Sequence, residues 1–271
     1  RIGVNVTNDD ITNILTKLGF VVDLKNDMLK VKVPSYRATK DISLREDLVE
    51  EIARSYGYDN IKPEPISMEV KSIEQNEAHN NEYQTKYILA EKYGMNEVHS
   101  YLWNFVDFNK SVGIEQKSYV SLVDDSNAGQ SGIRSLLAPT LLKFMEENRN
   151  SYSDIQIFEI GRVVAGLDDS NLAIEEPHLS ICLASQTLSN EKLYFSLKEV
   201  LMDIAQNIYG KQISIGKIDA LPNFMQPVNS TNISAENKNI GYFGVLHPSV
   251  KLAIDKRFNI AVLELNTNEL L

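Results

Sequence analysis

Between Val33 and Ile61 the chain carries a helix start, a helix stop, an apolar stripe and an acidic cluster in one run, VPSYRATKDISLREDLVEEIARSYGYDNI. Ser43 followed by Glu46 forms a capping box and predicts a helix beginning at about Leu44. Gly57 supplies the stop, because glycine reaches the left-handed conformation that closes a helix. Leu44, Leu48, Ile52 and Tyr56 recur at intervals of four and predict the buried stripe. Asp47, Glu50 and Glu51 fall on another face at i, i+3 and i+4. Asp41 stands just before the helix, near enough to join them if the loop turns back. Carboxylates gathered in this way repel one another unless something positive intervenes, either arginine or a metal ion.

Spacing alone favours arginine. Arg54 follows Glu50 by four residues and Glu51 by three, and Lys40 and Arg45 are close by, so a solvated, salt-bridged face is the simpler reading. If the set does hold a metal, its all-oxygen ligands point to a hard cation. Magnesium with retained waters suits it better than a caged calcium. Zinc is not expected, because no histidine or cysteine lies near.

PSYR, DI and DLVEEIARSYGYDNI closely resemble the B5 domain of the phenylalanyl-tRNA synthetase β-subunit family. The likeness continues in order. GIRSLLAPTLLKFMEENRN, IQIFEIGRVV, YFSLKEVLMDIAQNIYG and GYFGVLHPSV with FNIAVLEL resemble that subunit's catalytic-like module. The resemblance implies that Asp41, Asp47, Glu50 and Glu51 are magnesium ligands shared with an α subunit, and their spacing of six, nine and ten residues from Asp41 is intact. One departure is the three residues between Arg37 and Asp41, where many members have one. The family further implies an (αβ)₂ heterotetramer in the cytoplasm. Its α subunit joins phenylalanine to tRNA with ATP, and tRNA is met mainly through β-subunit domains outside this sequence. The chain opens on Arg1, and is expected to be an excised piece of a longer protein that is inactive alone.

Composition agrees with a soluble protein. At 271 residues with 43% hydrophobic content, the chain can build one small and one larger domain. No apolar run approaches the length of a bilayer span, and no signal peptide is read at the start. The single cysteine, Cys182 in the run SICLAS, fits a reducing compartment and a buried strand. Pro63 and Pro65 mark a boundary, giving a B5 domain over 1–65 and a catalytic-like module over 66–271. The first carries 10 basic and 11 acidic residues, the second 17 and 26, so most of the net charge of −10 belongs to the second.

The expected fold is α+β. Ile11, Ile14, Leu15 and Leu18 predict a helix ended by Gly19. Phe20–Leu24 and Leu29–Val33 then flank an Asn26-Asp27 turn. Helix, hairpin, helix resembles a winged helix, which is also what the family implies, and this raises a nucleic-acid-binding regulator as a rival function. Lys30 and Lys32 share one face of the second strand, but the second helix presents acid where phosphates would approach, and no DNA partner is expected. A stand-alone structural paralogue is the other rival.

In the module, helices are predicted at Asn80–Tyr93 (closed by Gly94), Leu136–Asn148 and after a second capping box, Ser196 with Glu199. Strands are predicted at Glu97–Trp103, Ile155–Ala165, His178–Ser185, Ile240–Leu246 and Phe258–Leu265, with a short helix opened by Pro248. Together they read as an antiparallel class II synthetase-like sheet with flanking helices. By resemblance, the helix at Asn80 and the strand after it form a subunit interface.

Chemistry in this module is not expected. Adenylate formation needs cations around the α-phosphate. FEIGRVV, in the place of motif 2, holds only Arg162, and GYFGVLHPSVKLAID, in the place of motif 3, holds no arginine. Glu159 and Arg162 project to opposite strand faces. Gly241 and Gly244 are followed by no P-loop lysine, the four histidines lack ligand spacing, and GQSG at 129–132 is not a nucleophile elbow. No catalytic or cofactor-binding residue is assigned, and ATP is left to the holoenzyme.

Overall fold

The Thr7 hydroxyl oxygen accepts a hydrogen bond from the Asp10 amide at 3.1 Å and starts the first helix, α1 (Asn8–Lys17). The computed structural model describes residues 2–25, 28–121, 132–216 and 221–271. It divides the chain into two units, Arg1–Ile73 and Glu74–Leu271. In the first unit α1 is followed by an antiparallel pair, β1 (Val21–Lys25) and β2 (Met28–Lys32), with Val22 opposite Val31. The expected Asn26-Asp27 turn lies outside the described residues. A 3-10 turn at Ser35–Arg37 leads to α2 (Arg45–Tyr56). Leu15, Phe20, Ile42 and Ile52 make a small core, with Ile11, Ile14, Leu18 and Leu48 packed on it.

Two local expectations for α2 are corrected. The cap comes not from Ser43 with Glu46 but from Asp47, whose Oδ2 accepts the amides of Ser43 and Leu44, each at 2.7 Å. Glu46 instead accepts from Arg45 Nε at 2.8 Å. Leu44 is therefore the residue before the helix and is 64% exposed, so the buried stripe begins at Leu48. Gly57 ends the helix with φ +93° and ψ +118°, a positive φ that glycine allows, though not the left-handed conformation expected of it.

The second unit opens with α3 (Glu77–Glu91), capped by Asn76. The strand expected at Glu97–Trp103 is broken: only β3 (Asn96–Glu97) and β4 (Trp103–Asn104) form, separated by residues without regular structure. Next come α4 (Val106–Val112), β5 (Gly132–Ile133) and α5 (Ala138–Asn148), with Pro139 in the first turn of α5, where its missing N–H costs no bond. The long pair β6 (Asp154–Leu167) and β7 (Ala173–Ser185) precedes α6 (Asn190–Asn207). That helix is capped by Ser189, which accepts from the Lys192 amide, so Ser196 lies inside it and the second predicted capping box is wrong. Four more strands and a helix complete the unit: β8 (Ile213–Gly216), β9 (Met225–Ala235), β10 (Lys238–Leu246), α7 (Pro248–Ile254) and β11 (Asn259–Asn266).

The main sheet runs β3-β6-β7-β11-β10-β9-β8, antiparallel except where β3 meets β6. Its central strands are buried on both faces. Ala261, Leu263 and Leu265 of β11 enter one apolar cluster with Leu197, Leu201 and Ile204 of α6. Ile260 and Val262 enter the other with Leu141 and Met145 of α5. That strict alternation is the period-two geometry of a strand placed between helical layers. Gly241 is needed where β10 passes β11, since a Cβ there would lie 2.2 Å from the Glu264 carbonyl oxygen. Cys182 is fully buried, and burial pushes its thiol up to about 12, so it is a core residue. The fold is α+β with a large mixed sheet. No helix among the described residues is long and apolar enough to cross a membrane.

One buried carboxylate joins these layers. Glu264 is 1% exposed and accepts from the amides of Leu137 (2.8 Å) and Ala138 (2.9 Å) at the start of α5 and from the Tyr242 hydroxyl (3.0 Å). His178 Nδ1 lies 2.9 Å from its Oε1. Burial disfavours charge on His178, but the hydrogen bond and charge of Glu264, helped by Glu176, prevail and raise its pKa above the ordinary imidazole value. Replacing Glu264 with alanine strands these donors, so urea unfolding is expected to show a loss of about 3–5 kcal/mol. Because the His178 pKa is raised in the folded state, its stabilisation is complete below the unfolded value of about 6.5 and is lost as pH rises through the folded one. The thermal midpoint is therefore expected to fall from mildly acidic to alkaline pH. His178→Gln flattens that slope, which parallel melts across the range will reveal.

Candidate functional site

The four carboxylates singled out in the sequence lie on and just before α2. The Pro34–Ile42 loop folds back through a bond from the Ile42 amide to the Arg37 carbonyl at 2.9 Å, with Lys40 in the left-handed region at φ +59°. This turn carries Asp41 to within reach of Arg37. The guanidinium donates from Nε to Asp41 Oδ2 (2.7 Å), from Nη2 to Asp41 Oδ1 (3.2 Å), and from Nη2 again to Glu51 Oε1 (2.9 Å). Arg54, one turn after Glu51, donates from Nη2 to Glu51 Oε2 at 2.5 Å. Beneath the loop the Arg37 guanidinium sits 5.4 Å from the centre of the Phe20 ring, a cation–π contact that fixes its position.

The arrangement brings Asp41 and Glu51 together through Arg37, and does not gather all four. Asp47 is turned to the helix start, where the amides of Leu44 and Ser43 lower its pKa. The Arg37 hydrogen bond lowers the Glu51 pKa against the opposing effect of burial, with Arg54 assisting. Asp41 and Glu51 in turn raise the Arg37 pKa. Glu50 is exposed and has no ion-pair partner among the described residues. As a donor set, four carboxylates fit a hard divalent cation. As placed within this chain they do not: no group of three histidine, cysteine, aspartate or glutamate side chains among the described residues is arranged to hold a metal ion.

In the second unit Arg162 stands where the sequence puts it, on the opposite face of β6 from Glu159. It is exposed, with Nη1 3.6 Å from Glu175 Oε2. The residue that sequence reasoning missed is Arg134, which is 1% exposed. It donates to Glu159 Oε1 at 3.0 Å, to the Arg162 carbonyl at 3.1 Å, and to Ser100 Oγ. Gly161 makes room for it, since a Cβ there would lie 2.7 Å from Arg134 Nη2. The available signal was a lone charged residue in the mostly apolar stretch GIRSLLAP. GQSG is only partly described, because 129–131 fall outside the described residues.

Comparison with known proteins accords with these two parts. Residues 1–58 match the family model for the tRNA synthetase B5 domain, and residues 61–267 match that for the phenylalanyl tRNA synthetase beta chain CLM domain. The phenylalanine–tRNA ligase beta subunit of Staphylococcus haemolyticus is 32% identical over 275 residues, covering 98% of this chain and 33% of that protein. The beta subunit of Leptospira borgpetersenii is 31% identical over 255 residues, covering 92% and 31%. That of Staphylococcus aureus is 28% identical over 280 residues, covering 100% and 34%. The chain thus spans about a third of the length of the curated relatives it matches. On these matches, which take in almost all of its residues, the chain belongs to the phenylalanyl-tRNA synthetase β chain family.

Proposed function

We propose that this chain is the B5 and catalytic-like part of a phenylalanyl-tRNA synthetase β subunit, and that it acts by packing against a catalytic α subunit. The whole enzyme, on this reading, ligates L-phenylalanine to its tRNA with ATP in the cytoplasm as an (αβ)₂ assembly. Residues 1–65 form the winged-helix-like B5 domain and residues 66–271 the class II-like module. The match to both family models in sequence order supports this division. A scaffold role for the module is supported by Arg134, which is buried against Glu159, whereas Arg162 is exposed beside Glu175. Arg134 is thereby withheld from the α-phosphate of a nucleotide, where adenylate formation places its cations.

The observation that carries the packing is on α3. Tyr83 and Tyr87 are 61% and 56% exposed and stand one turn apart on a single face. Large exposed aromatics in register on a helix are the usual anchors of a protein interface. For B5, the proposal keeps a magnesium ion shared with α and met by Asp41, Asp47, Glu50 and Glu51. That set becomes available only in the complex, because Arg37 and the start of α2 occupy three of its members in this chain. The acidic face of α2 argues against a nucleic-acid reader.

Co-elution with a cognate α subunit tests the packing. The wild-type chain is expected to form the complex, and Tyr83→Ala with Tyr87→Ala is expected to weaken it about tenfold or more while leaving circular dichroism unchanged. A folded wild-type chain that does not co-elute with α would overturn the reading.

A further inference from the structure

Residues 62–75 have no regular structure, and all of them are exposed. None of their backbone N–H or C=O groups is hydrogen-bonded among the described residues. A solvated spacer is built from polar and proline-rich sequence, and KPEP at 62–65 fits that description. ISMEVKSI at 66–73 does not, because half of it is large and apolar. Ile66, Met68, Val70 and Ile73 are 85%, 77%, 99% and 93% exposed. Single exposed apolar side chains are ordinary, whereas a run of them marks a surface that another body covers.

The run has a period. Ile66, Met68 and Val70 alternate with Ser67, Glu69 and Lys71, the two-residue repeat of a strand with one wet face. Lys71 Nζ lies 3.5 Å from Glu69 Oε2, so these two polar side chains meet on one side. Side chains two apart share a face in an extended chain and do not face each other on a helix. Ile66 and Val70 are β-branched and suit a strand, and Pro65 stands just before its start, where a missing N–H is tolerated. The segment has the pattern of a strand and lacks only the sheet.

We propose that Ile66–Lys71 is a strand completed by the α subunit, added to a sheet edge of that partner with Ile66, Met68 and Val70 against its apolar surface. Such an addition answers the free backbone groups and buries the apolar side chains together. The place of the segment in the chain selects the partner. Ile73 stands three residues before Asn76, the cap of α3, and Tyr83 comes seven residues after that cap. That is about 10 Å along the helix, so a protein held by the α3 tyrosines lies within reach of the strand through covalent connection alone. The α subunit is the partner proposed above, and the strand rests on that reading. It gives the α3 surface a second contact that orders only in the complex.

Hydrogen exchange on the 271-residue chain, read at 66–71 alone and with the cognate α subunit, is the test. Alone, these amides are expected to exchange as an open chain does, and in the complex to slow about tenfold or more. Met68→Ser with Val70→Ser is expected to weaken the complex about tenfold or more, and Ser67→Ala with Lys71→Gln to leave it within about threefold. All four side chains are exposed in the free chain, so these changes do not endanger its fold. A complex in which 66–71 exchange at the free rate overturns the strand and leaves the α3 contact standing. Protection that appears in the chain alone and grows with its concentration also overturns it, assigning the segment to a second copy. Weakening by Ile73→Ser but not by Met68→Ser marks a helix with Ile66, Val70 and Ile73 on one face, and overturns it as well. A folded wild-type chain that forms no complex removes the α3 reading and the strand together.

Discussion

The burial of a carboxylate in the central sheet sets the conditions for the larger unit. Glu264 sits on β11, whose neighbouring side chains Leu263 and Leu265 are wholly apolar and packed under α6. A carboxylate there is tolerable only with every lone pair answered, because an unpaired buried charge costs several kcal/mol, on the order of what a whole domain has to spare. The answer comes from three directions: the first amides of α5, the Tyr242 hydroxyl on β10 and the His178 ring on β7. One side chain thereby ties a helix start to three strands. The same demand explains why α5 begins at Ala138 without a side-chain cap of its own, since its free amides already have a carboxylate facing them.

A second closed circuit lies beside it. Arg134 is buried with Glu159, and Gly161 leaves space for the guanidinium, since a Cβ there would lie 2.7 Å from Arg134 Nη2. The smaller unit repeats the logic nearer the surface, with Arg37 between Asp41 and Glu51. In all three places charge is neutralised by a specific side chain of the same unit. The hydrogen bonds are directional, so each pair fixes an orientation as well as offsetting a desolvation cost.

Much of the fold was legible because strong periodicity and local stop signals point the same way. Leu197, Val200, Leu201 and Ile204 recur at helical spacing and are buried on α6, and β6, β10 and β11 fall close to their expected bounds, while β7 begins at Ala173, before the expected His178. Helix starts were less legible. Ser43 with Glu46 and Ser196 with Glu199 both satisfy the capping pattern, yet Asp47 and Ser189 are the residues that cap. The pattern records only chemical capacity, and several residues near a helix start share it; which one acts depends on where the chain arrives. The strand expected at Glu97–Trp103 failed for a related reason. Its apolar and aromatic residues suit a strand, but the Ser100 hydroxyl is bound to Glu159 and Arg134, and the pairing with β6 ends at Glu97. Of the acidic set, the residues and their shared helix were visible in the sequence. The choice of Arg37, rather than the nearer Lys40 or Arg45, was not, because it depends on the loop fold and on Phe20 underneath.

This distribution of charge bears on what the larger unit can do. A catalytic centre for phosphoryl or acyl chemistry keeps cations unpaired and aimed at the place where negative charge will develop. In this unit Arg134 faces Glu159, Arg162 faces Glu175, and His178 faces both Glu176 and Glu264. Arg134 and His178 are paired with buried acids of the same sheet, and Arg162 with an exposed one. Freeing one for a substrate would leave a carboxylate unanswered, and for Glu159 and Glu264 that carboxylate is buried. The buried pairs that make the sheet stable are therefore the same pairs that withhold Arg134 and His178 from a ligand. On the proposed packing role, what the unit offers is its surface, and the exposed tyrosines of α3 are the aromatics that would anchor the partner there.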